Sequence, residues 1–108
     1  SIVATDEPKN VYDGLLISGD FNGWGTDTKM IPVNTVEGVV NHVWKYELDA
    51  TSGDTTAKFL YAGWTPNWGA STFPYGFGVN GGANIPVVAG KYIAILNDID
   101  GYYHFFSK

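Results

Sequence analysis

The chain has 108 residues, the size of one domain and too short for two independent cores. Hydrophobic residues make up 44% and charged residues 16%, so the chain can bury a core and is not disordered by composition. Six lysines, no arginine and 11 acidic residues give a net charge of -5, which argues against nucleic acid or an anionic membrane surface as partner, because both need a concentrated positive field. Cysteine is absent, so disulfide scaffolds, thiol catalysis and cysteine metal sites are excluded together. No run approaches the roughly 18 apolar residues of a membrane span.

In chain order, residues 1–10 are polar, contain Pro8 and read as a linker or edge segment, with a single domain over 11–108. The opening Ser1-Ile2-Val3-Ala4 resembles an excised domain boundary, so a leader, a lipid anchor or neighbouring domains are expected outside these residues. Leu15-Leu16-Ile17, between Gly14 and Gly19, predicts a central strand. Gly19-Asp20-Phe21-Asn22-Gly23-Trp24-Gly25 is a glycine-rich turn carrying two rings. Residues 28–33 predict a short strand that Pro32 places at a sheet edge. Over 39–48, Val40, His42, Trp44, Tyr46 and Leu48 share one face of a half-buried strand. Ala57 to Tyr61 predicts another, with Phe59 and Tyr61 on one face and Lys58 and Leu60 on the other.

Residues 63–82 read as one long irregular stretch rich in Gly and Pro, and a loop of that length in a small domain is functional or disordered. Its rings, Trp64, Trp68, Phe73, Tyr75 and Phe77, argue against disorder. Residues 83–88 predict a strand, and 92–96 with 102–106 a hairpin turning on Asp100-Gly101. About seven short strands with frequent turns, and no helical periodicity, predict an all-β antiparallel β-sandwich of the immunoglobulin-like or carbohydrate-binding-module type. Four Trp, seven Tyr and six Phe are more large rings than one small core hides, so some are expected outside.

Catalysis finds little support. His42 and His104 sit inside strand patterns, no Ser or Thr occupies a nucleophile elbow, and the acids fall mostly in turns (Asp20, Asp27, Asp54, Asp98, Asp100), where backbone geometry explains them. A non-enzyme without cofactor is the expectation. Asp98-Ile99-Asp100-Gly101 is a faint match to a calcium loop, but Leu96 falls at the first ligand position and no glutamate closes it.

The aromatics are more informative. Trp24, Trp64 and Trp68 lie in turn-rich segments, outside the alternation that assigns Trp44 to the core. A sugar ring has C–H-rich faces and a rim of hydroxyls, so flat aromatic surfaces with a few polar side chains bind it. Two rings set at an angle suit a curved α-glucan. Lys58 is a candidate donor, sharing an exposed face with Trp64 if the strand runs that far, and Asn84 is a weaker polar candidate.

Gly19-Asp20-Phe21-Asn22-Gly23-Trp24 after an apolar strand, Trp44 in a strand, Lys58-Phe59 ahead of Trp64 and Trp68, and then Gly81-Gly82-Ala83-Asn84, Ala89-Gly90-Lys91-Tyr92 and Tyr102 together resemble the glycan-binding domains of SusE/SusF-like outer-membrane lipoproteins. The resemblance spans roughly residues 11–106. It implies a β-sandwich on the outer face of a Gram-negative outer membrane, a monomeric domain of a larger anchored protein, holding starch or maltooligosaccharides without cleaving them. It also implies a site of two aromatics and a basic residue: Trp24, Lys58, and Trp64 or Trp68. The rival expectation is an immunoglobulin-like spacer or protein-interaction domain of a multi-domain surface lipoprotein.

Overall fold

Turn-forming residues interrupt the chain so often that no strand exceeds seven residues among the described residues. The computed structural model describes residues 10–108, so the segment expected over 1–10 lies, apart from Asn10, outside the described residues. In chain order the strands are β1 (Leu16–Ser18), β2 (Ile31–Pro32), β3 (Val43–Asp49), β4 (Thr55–Leu60), β5 (Asn67–Gly69), β6 (Tyr75–Phe77), β7 (Val79–Asn80), β8 (Ile85–Val87), β9 (Lys91–Asn97) and β10 (Tyr102–Ser107).

They form two antiparallel sheets. One runs β1-β4-β5-β7, with β8 also paired to β4, and the other runs β2-β3-β9-β10-β6. The chain is the all-β sandwich its sequence predicts. Alternation sends Ile17, Ala57, Phe59 and Trp68 of the first sheet against Trp44, Leu48, Ala94, Leu96, Tyr103 and Phe105 of the second, all buried in one core. Phe59 stands 6.0 Å from Tyr103 and 5.9 Å from Phe105, ring centre to ring centre, which ties the sheets together.

Three expectations need correction. Leu16–Ser18 ends its sheet path rather than lying centrally, because its far side meets only an isolated bridge from Leu16 to Lys29. The strand expected over 39–48 starts at Val43, and Val40 is exposed. The stretch 63–82 is not one loop: it holds β5, β6 and β7, each two or three residues long, with β5 paired to β4 and β7 and with β6 paired to the distant β10.

The expected surplus of rings is also present. On the outer face of the second sheet Tyr75, Phe77 and Phe106 are exposed, with Tyr102 and His104 between them. His104 and Phe106 stack at 3.8 Å with their planes 8° apart.

Candidate functional site

The turn after β1 is built to hold one indole. Gly19 lies so close to β4 that a side chain there would fall on the Thr56 carbonyl. Asn22 accepts from the Gly19 N–H at 3.0 Å and donates to Ile17 O and Thr28 Oγ1, which closes Asp20–Asn22 into a single 3-10 turn. Gly23 then takes φ 63 and Trp24 follows at φ 61. Glycine adopts that left-handed conformation freely, but a bulky residue there is an outlier. Ser18 Oγ donates to the Gly25 carbonyl at 2.8 Å and fastens the far end of the turn to β1.

A second indole arrives by the same device. β4 stops at Leu60, Ala62–Trp64 forms another short 3-10 turn through Gly63 at φ 76, and Trp64 sits at φ 64. The Asn67 side-chain amide donates to the Trp64 carbonyl at 2.8 Å. Trp24 and Trp64 are the only residues besides glycine with positive φ among the described residues. Each such conformation costs about 1–3 kcal/mol.

These two strained turns bring the indoles together. Their ring centres are 6.2 Å apart and their planes are inclined by 40°, and both rings stay partly exposed. The Trp24 indole N–H donates to Asp20 Oδ1 at 3.2 Å, while Asp20 Oδ2 accepts from Thr56 Oγ1 at 2.8 Å. Hydrogen bonds from the Thr56 hydroxyl and then from the Trp24 indole hold the Asp20 carboxyl below its ordinary pKa. The pair therefore offers ring faces at an angle, with one indole donor already engaged.

No family model, curated protein or solved structure matches this chain.

The other candidate residues divide. Lys58 faces away from the core beside Ser18 on β1, the residue that anchors the Trp24 turn. Its stem crosses Gly69 and its ammonium donates to the Gly82 carbonyl at 2.6 Å. The exposed face expected for Lys58 is instead covered: β4 ends at Leu60, Lys58 is 9% exposed and Leu60 is fully buried, and burial lowers the lysine pKa. One of three ammonium protons is engaged in that bond, so donor capacity remains. Asn84 is exposed just before β8, whose Ile85 pairs with Ala57, the neighbour of Lys58.

Trp68 is the correction. It pairs with Phe59 on β5, is 7% exposed and packs edge-on against Tyr12 at 5.6 Å, so it is a core residue and no second platform. Trp64 also reaches the site differently from expectation, since the strand ends four residues earlier and a left-handed turn carries the ring.

Trp44 is buried as expected, and its indole N–H donates to Asp98 Oδ2 at 2.8 Å while His42 Nδ1 meets Asp98 Oδ1 at 2.7 Å. That carboxylate joins the start of β3 to the β9–β10 hairpin and takes no part in the indole site. Sequence reasoning missed Asp20 and Asn67. The signal for Asp20, an acid four positions before Trp24, was present but reads as ordinary turn chemistry.

Proposed function

We propose that the domain is a non-catalytic carbohydrate-binding module for an α-glucan of the starch or maltooligosaccharide class. One observation carries the reading: tryptophans from separate turns, each at a backbone conformation that disfavours tryptophan, meet at 6.2 Å and 40° with their rings partly in water. Core packing does not need these indoles, because neither belongs to the buried cluster. A glucan that curves presents successive sugars at an angle, and two inclined rings stack on neighbouring units where a flat platform would touch one. The remaining protons of Lys58 would serve hydroxyls at the rim, with Asn84 as a weaker second contact. The net charge of -5 is no obstacle to a neutral ligand.

Stacking is worth about 0.5–1.5 kcal/mol beyond area for aromatic pairs, and a ring on a sugar face is taken at the same scale. With few hydrogen bonds, binding of order 0.1–1 mM is expected, and useful retention would come from several modules acting together. A place on the outer face of a Gram-negative outer membrane, through an anchor outside these residues, belongs to the same proposal.

Calorimetry with maltoheptaose and affinity electrophoresis in amylopectin test it. Retarded migration, with tryptophan fluorescence that responds to sugar, is the expected result. Unchanged mobility and no heat across several α-glucans would remove the starch assignment.

A different observation favours the rival reading of a spacer or protein-interaction domain. The second sheet exposes Tyr75 at 58%, Phe77 at 61% and Phe106 at 46%, a cluster of the kind that marks contact surfaces. His104 and Phe106 cover one face of each other by stacking, which leaves less open ring face there for a sugar.

A further inference from the structure

We propose that Asp20 is the positioning residue of the indole pair, a clamp that fixes Trp24 to the sheet and so sets its angle to Trp64; its consequence for ligand rests on the glucan reading above. The carboxylate lies between two partners on different elements. Oδ2 accepts from the Thr56 hydroxyl at 2.8 Å and from the Thr56 N–H at 3.3 Å, both on β4. Oδ1 accepts from the Trp24 indole N–H at 3.2 Å. The connection runs from sheet to carboxylate to indole, and it acts at the end of the ring system that would otherwise swing about the side-chain torsions.

Trp24 needs such a tether. Its ring is partly exposed, lies outside the core cluster and meets Trp64 at an incline rather than in a stacked embrace. Packing alone leaves a partly exposed indole several rotamers. Both Asp20 oxygens act only as acceptors and all three facing groups are donors, so the ionised carboxylate is the one side chain of this size that satisfies every contact. Asparagine would meet one donor with its oxygen and oppose another with its NH₂. The clamp also engages the Trp24 N–H, so this indole recognises ligand through its face.

Two indoles held at a fixed incline give an exciton couplet in the far-ultraviolet circular dichroism, a signal independent of any ligand. The difference between wild type and Trp64→Phe isolates the couplet of this pair. Asp20→Ala should remove most of it while cooperative unfolding is retained, and should weaken maltoheptaose binding about tenfold. Thr56→Val, which leaves both indoles untouched, should reduce it too, and Asp20→Asn should retain part. These two variants keep the test open if Asp20→Ala fails to fold.

A couplet of wild-type size in Asp20→Ala, or in both Asp20→Asn and Thr56→Val, overturns the clamp, as does the absence of a couplet in the wild type. A couplet that depends on Asp20 in a protein that binds no glucan upholds the clamp and removes the glucan reading. Glucan binding in a protein whose couplet is indifferent to Asp20 does the reverse.

Discussion

Lys58 and Gly82 are joined across 24 positions of sequence by one hydrogen bond, the ammonium donating to the carbonyl oxygen at 2.6 Å. Burial lowers the lysine pKa, so this contact offsets a desolvation penalty as well as adding attraction. Lys58→Met keeps the stem over Gly69 and removes the charge. Its unfolding free energy in urea should lie within about 1 kcal/mol of wild type, while calorimetry records several-fold weaker glucan binding. Equal affinity would remove Lys58 from the site.

The two tryptophans of the irregular stretch should respond in opposite ways. Trp68→Ala empties a buried position in contact with Tyr12 and should cost about 3–5 kcal/mol. Trp64→Gly relieves a residue at φ 64, and its stability should equal or exceed wild type, by up to about 1–3 kcal/mol, while glucan binding is lost. Denaturant titration beside affinity electrophoresis separates the two.

Asp98 accepts from the Trp44 indole and meets His42 through its two oxygens while almost wholly buried. Asp98→Asn leaves one of these nitrogen groups facing an NH₂ and should destabilise by about 2–3 kcal/mol. Sugar binding should be unchanged, since the network lies outside the indole site. Thermal unfolding with a parallel calorimetric titration checks both halves.

Acid should act on Asp20 in a defined direction. Its hydrogen bonds lower the folded-state pKa below the ordinary 3.8, so the unfolded chain binds the proton more readily. Stability from this group is present above 3.8 and is lost as pH falls through the lower folded value. The indole couplet should follow the same course, constant near neutrality and fading as pH falls below 3.8. In Asp20→Asn that step should be missing.

How much of this could be read from residues alone depends on how local the cause was. Trp44, Tyr46 and Leu48 repeat every second position, and the run Tyr92 to Leu96 turns on Asp100-Gly101, so β3 and the final hairpin are legible. Trp68 is different. Its neighbours Asn67 and Gly69 carry no alternation, and what makes it a core residue is pairing with Phe59, which the segment itself does not encode. Trp24 and Trp64 could be singled out because both lie in glycine-rich turns, but their meeting depends on two left-handed residues and a carboxylate. Those depend on three-dimensional closure, and a local pattern of residue types cannot specify them.

A designer improving this backbone by melting temperature alone would write glycine or asparagine at positions 24 and 64, where φ is 61 and 64. The improved chain would survive heat and lose the inclined indole pair, and with it the glucan binding proposed above, without any warning from the assay. Any directed selection for robustness must therefore hold those two codons fixed, or be scored by retention on polysaccharide from the first round.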